Sequence, residues 1–170
     1  AIAVVRGDAD AMICGLEGRF QSKLRLIRDI IGLAPGVSDL SSMTLLITPK
    51  GNYFLADTHV RHNPTAEELA DMTVLCAQHV ERFGITPKIA LVSHSDFGEA
   101  DTPTSLKMRQ ALRLIREAAP GLEVDGEMQG DTALSAVVRA RKLASSRLTG
   151  EANLLVMPNL DAANVAYQFI

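Results

Sequence analysis

The sequence has only two cysteines, and neither belongs to a recognisable motif. Cys14 and Cys76 are too few for a disulfide framework, and no CxxC pair or histidine at metal-ligand spacing accompanies them. Both are therefore expected to be small buried side chains in a reducing compartment. We predict a cytoplasmic protein without a metal site in this segment.

Long apolar runs and a strong net charge are also lacking. No apolar stretch approaches the ~20 residues that span a bilayer, and no basic segment followed by an apolar one opens the chain. The formal net charge is −3, which gives no broad cationic field for nucleic acid or anionic lipid. We expect neither nucleic acid nor a membrane as a partner.

What the sequence does contain is enough apolar material for a core, since 47% of its 170 residues are hydrophobic. Short apolar runs alternate with longer segments of helical period, which is typical of an α/β domain with a largely parallel sheet. Strands are predicted at about residues 2–5, 43–48, 53–57, 88–93, 122–125 and 153–157. The sequence Thr-Pro-Lys-Gly-Asn at residues 48–52 predicts an antiparallel hairpin.

Helices are predicted between the strands. Thr65 and Glu68 form a capping box ahead of apolar residues spaced by three and four, which predicts a helix to about residue 83. Thr102, followed by proline, predicts a helix over residues 103–118. Further helices are predicted over residues 18–32, from Asp131 to about Lys142, and from Asn159 or Asp161 onward. The pattern predicts one compact unit, with room for parts of two lobes.

Residues 93–102, Ser-His-Ser-Asp-Phe-Gly-Glu-Ala-Asp-Thr, join the end of a predicted strand to a capped helix. Ligands of open α/β sheets bind beyond the carboxyl ends of strands, and a helix N-terminus offers N–H groups to an anion. The loop therefore suits a phosphate or pyrophosphate group, although an ordinary capping loop has the same geometry. Ser93, His94 and Asp96 are not interpreted as a catalytic triad, because neighbours at a strand end point in different directions.

Other polar residues allow two interpretations each. Asp8 and Asp10 follow a predicted strand and would bind a divalent ion or a substrate hydroxyl, but such corner residues more often bond to backbone amides. His59, His62 and His79 are more typical of solvated or locally bonded side chains than of a metal site.

The basic residues of the predicted helix over 103–118 also allow two interpretations. Their helical spacing is typical of a solvated face, although they would also suit a ligand phosphate; they are Lys107, Arg109, Arg113 and Arg116. Neither GxGxxG nor GxxxxGK[ST] occurs, so a nicotinamide site is expected elsewhere in the protein.

Six collinear segments resemble the phosphate acetyltransferase family over nearly the whole chain. They are residues 7–11, 56–58 with 63–70, 83–88, 92–95, 124–126 and 157–164. The resemblance implies a phosphotransacetylase-like, three-layer α/β domain, related to the isocitrate/isopropylmalate dehydrogenase fold, with a mostly parallel sheet and one antiparallel hairpin. It also implies a dimer with coenzyme A held between two lobes.

Three segments point to one branch of that family. Residues 93–98, 107–111 and 125–128 are similar to the C-terminal phosphotransacetylase-like domain of the large bacterial NADP-dependent malic enzymes. The Gly/Ser/Thr-rich loop and the His-Thr element usual in active transferases are missing from the sequence. The resemblance places the transferase's catalytic residues beyond Ile170, so we assign no catalytic residue. Residues 1–170 are expected to be the C-terminal part of a longer polypeptide, truncated at both ends.

The resemblance implies a regulatory and dimerising domain that senses acetyl-CoA as an inhibitor. An absent N-terminal domain, with NADP and a divalent metal ion, would convert malate to pyruvate. The expected partners are a second copy, in a homodimer or higher homo-oligomer, and the malic enzyme domain. Alternatives are an active phosphate acetyltransferase and an assembly module with a decayed site. The residues expected to bind ligand are Ser93, His94, Ser95, Asp96, Lys107, Arg109 and Asn159.

Overall fold

The computed structural model describes residues 1–169, and the chain divides into two compact units, Ala1–Leu40 and Ser41–Ile170. The first unit contains helices α1 (Ile2–Val5) and α2 (Phe20–Ile31), and none of its residues is buried. The predicted strand at 2–5 is therefore wrong. A four-residue apolar run fits a strand or one helical turn equally well, so its periodicity does not decide between them.

The second unit is built on a five-stranded sheet. Its strands are β1 (Met43–Thr48), β2 (Gly51–Ala56), β3 (Lys88–Val92), β4 (Glu123–Met128) and β5 (Leu154–Val156), in the order β1-β2-β5-β3-β4. β1 and β2 form the predicted antiparallel hairpin, while the neighbours β2–β5, β5–β3 and β3–β4 are all parallel. The predicted mixed, mostly parallel sheet is confirmed.

Helices cover both faces of this sheet and complete a three-layer domain. They are α3 (Ala66–Arg82), α4 (Pro103–Ala118), α5 (Gly130–Ala133), α6 (Ala136–Lys142) and α7 (Leu160–Phe169). Adjacent residues of a strand point to opposite faces. Leu154 accordingly lies in the cluster under α3 and α4, and Leu155 lies in the cluster with residues of α5 and α7.

The predicted helix after Thr65 is confirmed together with its capping box. The Thr65 hydroxyl accepts from the Glu68 N–H at 3.2 Å, and the Glu68 carboxylate accepts from the Thr65 N–H at 2.8 Å. Leu69, Met72 and Cys76 are buried on its inner face, and each such apolar side chain stabilises the fold by about 1.5–3 kcal/mol.

The two cysteines have different environments. Burial raises the pKa of the Cys76 thiol to about 12, and the charge of Asp57 acts in the same direction. Cys14 is exposed, so the prediction that it is buried is wrong. The reason is local, because no residue of the unit Ala1–Leu40 is buried.

The single helix predicted from Asp131 to Lys142 is divided into α5 and α6. Ser135 begins α6, because its hydroxyl accepts from the Val138 N–H at 3.3 Å. The guanidinium of Arg139, which is only 2% exposed, donates to carbonyl oxygens at the end of α5, namely those of Thr132 and Ala133. This buried cation satisfies backbone groups that a continuous helix would have satisfied itself.

Within residues 1–169, no helix has the length and apolar character needed to cross a membrane.

Candidate functional site

The four parallel strands end at one edge of the sheet, and this edge holds the candidate site. A cavity of about 550 Å³ opens there in the unit Ser41–Ile170. Ser93 and His94 line it after β3, and Met157 and Pro158 line it after β5. Residues of α7 and residues in and just after α5 supply much of the remaining, largely apolar wall. This arrangement is the one in which open α/β sheets bind small molecules.

Ser93 and His94 do not form a catalytic triad with Asp96. The Ser93 hydroxyl is 3.4 Å from His94 Nδ1, and His94 Nε2 is 3.2 Å from the Thr102 hydroxyl. Asp96 is bonded elsewhere, to Lys142 and to the Gln129 N–H. An imidazole next to a serine but without a carboxylate to orient it suits ligand binding better than nucleophile activation.

Asp96 is a buried carboxylate with a cationic partner on α6. Burial on its own raises the pKa of Asp96, but hydrogen bonds from Lys142 and from the Gln129 N–H outweigh this effect and hold the pKa below its ordinary value. The hydrogen bond to Asp96 in turn raises the pKa of Lys142. Gln129 also donates its side-chain N–H to the His94 carbonyl oxygen at 3.0 Å. Asp96 therefore fixes the loop that carries His94.

Ser95, in the loop after β3, and Arg109, on α4, both lie next to Glu127 of β4. The Ser95 hydroxyl donates to Glu127 Oε1 at 2.8 Å, and the Gly98 N–H donates to that oxygen at 3.0 Å. The Arg109 guanidinium pairs with Asp101 at 2.5 Å and lies 3.6 Å from Glu127 Oε1. These contacts hold the loop against β4, and Arg109 does not line the cavity.

Lys107 connects the loops that follow two strands. Its ammonium donates to Asn63 Oδ1 at 2.8 Å, to the Pro64 carbonyl at 3.0 Å and to the Pro158 carbonyl at 2.7 Å. Burial lowers the pKa of Lys107, and the charge of Glu68 partly offsets this effect. An ammonium has three N–H donors, and all three are used here. Lys107 thus positions the edge and retains no donor for a ligand phosphate.

The N-terminus of α4 offers less to an anion than its sequence suggests. Pro103 has no N–H, the Ser105 N–H donates to the Thr102 hydroxyl at 3.3 Å, and the Leu106 N–H donates to the Thr102 carbonyl. Thr104 lines the cavity, and within residues 1–169 its N–H donates no hydrogen bond outside the helix. Asn159 caps α7, because its Oδ1 accepts from the Ala162 N–H at 2.9 Å.

The basic residues of α4 do not form a simple solvated face. Arg116 pairs with Asp125 at 2.9 Å, Arg109 pairs with Asp101, and Lys107 is bonded as described; only Arg113 is exposed. The solvated interpretation is wrong for the other three residues. Their acidic and carbonyl partners come from loops and strands distant in sequence, which helical spacing does not reveal.

Asp8, His59 and His79 form local contacts. Asp8 pairs with Arg6 at 3.2 Å in an exposed ion pair, in a segment that follows α1 and not a strand. His59 Nδ1 is 2.6 Å from the Thr58 hydroxyl, and His79 is 3.5 Å from Arg82. Within residues 1–169, no group of three His, Cys, Asp or Glu side chains is arranged to hold a metal ion.

Sequence reasoning missed four polar residues that organise the edge. Asp57 accepts from the N–H groups of His59 and Val60 at 2.9 and 3.1 Å, which turns the chain after β2. Glu127, Gln129 and Lys142 hold the loop after β3, as described above. Two of the four were within reach: Asp57 and Glu127 lie in segments 56–58 and 125–128, on which the family resemblance depends.

Comparisons with known proteins agree on the family. The family model described as phosphate acetyl/butaryl transferase matches residues 1–170. The chain is 57% identical over 165 residues to the NAD-dependent malic enzyme of Rhizobium meliloti, covering 97% of this chain and 21% of that protein. It is 49% identical over 170 residues to the NADP-dependent malic enzyme of Escherichia coli, covering 100% and 22%. It is 39% identical over 175 residues to the phosphate acetyltransferase of Paracoccus denitrificans, covering 99% and 55%.

A solved structure gives the same result for the fold. The phosphotransacetylase of Streptococcus pyogenes matches with a TM-score of 0.92 and 34% identity, over 98% of this chain and 51% of that one. The chain thus spans about half the length of these transferases and about a fifth of the malic enzymes. With its whole length matched by the family model and its fold shared with a solved phosphotransacetylase, this chain belongs to the phosphate acetyl/butaryl transferase family.

Proposed function

We propose that this chain is the phosphotransacetylase-like part of a bacterial malic enzyme, where it acts as a regulatory and dimerising domain that senses acetyl-CoA. The observation that carries the proposal is the 57% identity to a malic enzyme, against 39% to a phosphate acetyltransferase. Oxidative decarboxylation of malate to pyruvate, with its nucleotide and divalent metal ion, would belong to the rest of that polypeptide. NADP stays a prediction, because the relatives include NAD- and NADP-dependent enzymes.

The cavity at the sheet edge supports binding of an acyl thioester. Its volume of about 550 Å³ is in the range of small-molecule sites, and Leu134, Leu155 and Ala166 give it apolar walls. Ser93, His94 and Thr104 also line it and give it a few polar groups. An apolar chamber with few polar groups suits the acyl group and the adjoining arm of coenzyme A.

The reactive side chains near the cavity already form hydrogen bonds within the protein, which supports a role in ligand binding and not in catalysis. Ser95 is bonded to Glu127, Asp96 to Lys142, and Lys107 to three oxygen atoms. General acid–base catalysis needs a group that reaches the substrate with a proton to give or take. The resemblance to phosphate acetyltransferases nevertheless makes acetyl transfer to phosphate the second candidate function.

The proposal is tested on the full-length protein by measuring malate-dependent reduction of NADP and of NAD, with and without acetyl-CoA. We expect acetyl-CoA to slow the reaction. The variant His94→Ala should need about 3- to 10-fold more acetyl-CoA for the same inhibition, which is the effect of losing one hydrogen bond. His79→Ala, which removes an exposed imidazole on α3, is the control and should be inhibited like the unmodified protein.

Three results would contradict the proposal. Malate oxidation that is insensitive to acetyl-CoA would remove the sensing role. Unchanged inhibition in both His94→Ala and Ser93→Ala would exclude this cavity as the acetyl-CoA site. Formation of acetyl phosphate from acetyl-CoA and phosphate would instead establish the acetyltransferase function. Sedimentation of the full-length protein tests the dimer separately.

A further inference from the structure

The cavity at the sheet edge is lined in part by two segments that are distant in sequence. Ser93 and His94 belong to the loop after β3, while Gly130 and Leu134 lie in and just after α5. Gln129 directly precedes α5 and does not line the cavity itself. This residue therefore influences a bound ligand only through the contacts that it makes with the lining residues and their neighbours.

Gln129 is bonded to the loop after β3 through both its backbone and its side chain. Its backbone N–H donates to Asp96 Oδ1 at 2.8 Å, and its side-chain N–H donates to the His94 carbonyl oxygen at 3.0 Å. Within residues 1–169, no other group donates to that carbonyl. The loop backbone is otherwise joined to β4 through the N–H groups of Ser93 and Phe97, on either side of His94. Between those two bonds, Gln129 holds the His94 carbonyl.

Lys142 fixes the orientation of the Gln129 side chain. Its ammonium donates to Gln129 Oε1 at 3.0 Å and to the Asp96 carboxylate. An ammonium only donates and a carbonyl only accepts, so the Gln129 amide satisfies Lys142 and His94 together in one orientation only. Gln129, Lys142 and Asp96 therefore form a closed ring of hydrogen bonds to which the His94 backbone is attached.

The His94 imidazole is the exposed polar group that this ring holds at the cavity. Its Nδ1 is 3.4 Å from the Ser93 hydroxyl, and its Nε2 is 3.2 Å from the Thr102 hydroxyl. Neither Asp96 nor Lys142 lines the cavity. The ring thus acts on a ligand through the residues that it holds, and His94 is the one to which it is directly bonded.

We infer that Gln129 is a positioning residue for ligand binding in this cavity and acts through His94; the inference rests on the acetyl-CoA-binding role proposed above. The Gln129 amide keeps the His94 backbone in place, so the imidazole is already in position when the ligand arrives. A site that is ordered in advance binds more tightly, because the ligand does not have to order the loop. Without the amide, the His94 carbonyl loses its donor and this ordering must come from the ligand.

The inference is tested on the full-length protein by the acetyl-CoA concentration that halves malate oxidation, with each variant compared with its own uninhibited rate. Gln129→Met has nearly the same size and lacks both side-chain hydrogen bonds, so it should need about 3- to 10-fold more acetyl-CoA. Gln129→Glu keeps an acceptor for Lys142 but replaces the N–H that reaches His94 by a second acceptor, and the same increase is expected. Gln78→Met, at an exposed position of α3 outside the cavity, is the matched control and should be inhibited like the unmodified protein.

A double variant separates positioning of His94 from a general loss of structure. Because Gln129 acts through His94, adding Gln129→Met to His94→Ala should raise the required acetyl-CoA concentration by less than about twofold over His94→Ala alone. Two effects that multiply would overturn the inference, as would unchanged inhibition in both Gln129 variants, and either result leaves the proposed function intact. A full-length protein that acetyl-CoA does not inhibit would overturn the proposed function and this inference together.

Discussion

At the scale of single residues, Asp96 is the clearest case of a carboxylate kept charged in a buried position. It is 2% exposed, and Lys142 and the Gln129 N–H compensate for the lost solvation. Both partners are distant in sequence from residue 96. The ligand-binding role of Asp96 stays a prediction, and the contacts show that its charge is already balanced within the protein.

The variant Asp96→Asn keeps the shape of the side chain and loses its charge. We expect the free energy of unfolding at neutral pH to fall by about 1.5–3 kcal/mol, the range for hydrogen bonds to a charged group. The pKa of folded Asp96 lies below the ordinary value of 3.8, so its stabilising contribution is present above that value and is lost as the pH falls through the folded pKa. Urea unfolding at a series of pH values measures the difference.

The free energies of unfolding of the unmodified protein and of Asp96→Asn should therefore differ by a constant amount near neutral pH. They should converge as the pH falls below about 4. Glu151→Gln, which neutralises an exposed carboxylate, is the control and should unfold like the unmodified protein at every pH. A difference for Asp96→Asn that persists unchanged into strong acid would show that the charge of Asp96 does not carry the effect.

The sequence predicts where the candidate site lies, but it predicts only some of the residues that form the site. Ser93 and His94 line the cavity, because the end of a strand places neighbouring residues beyond the sheet whatever the rest of the fold does. Lys107 and Arg109 lie on opposite sides of α4 and are used in contacts with other loops. Those contacts depend on which strands are neighbours, and the sequence pattern does not determine the order β2-β5-β3-β4.

At the scale of elements, helices with local start signals are the most predictable. α3 and α4 begin after Thr65 and Thr102 as expected, because a capping hydroxyl and its N–H partner are three residues apart. α5 and α6 are predicted as one helix, because the sequence pattern does not reveal that the Arg139 side chain donates to carbonyl oxygens at the break and to that of Leu148. Side-chain contacts of this kind are not visible in the local helical pattern.

Gly126 fixes how closely β3 and β4 approach. A Cβ atom at this position would lie 2.7 Å from the Leu91 carbonyl oxygen and 2.9 Å from Leu91 Cβ, and the φ angle of Gly126 is +145°. Leu91 and Gly126 are paired across the two parallel strands. A side chain here would force the strands apart and strain the backbone as well.

We therefore expect Gly126→Ala to lower the free energy of unfolding by about 2–5 kcal/mol, from overpacking and backbone strain together. Gly121→Ala is the matched control, since no heavy atom lies within 4 Å of its Cβ position and its φ angle is not positive. Thermal and urea denaturation of the two variants give the comparison. Equal stability of Gly126→Ala and Gly121→Ala would contradict the proposed strand contact.

At the scale of the whole molecule, the two units differ in how much apolar surface they bury. The unit Ser41–Ile170 holds both hydrophobic clusters of the described residues, whereas α2 in the other unit has no buried residue. Ile27 and Ile30 of α2 line an apolar cavity of about 460 Å³ together with Ile2 of α1. The sequence pattern indicated α2 correctly, but an amphipathic pattern does not say what covers its apolar face.

This difference predicts an uneven pattern of hydrogen exchange. An isolated helix of twelve residues is marginal in water, so the amides of α2 in the 170-residue chain should exchange at least about tenfold faster than those of α3. In the full-length protein that we propose, further polypeptide is available to cover α2, and its amides should gain protection while those of α3 stay unchanged. Mass spectrometry of exchanged peptides compares the two samples with α3 as the internal control. Equal protection of α2 and α3 in the 170-residue chain would show that α2 is already stabilised by contacts within its own unit, and that its apolar face needs no further cover.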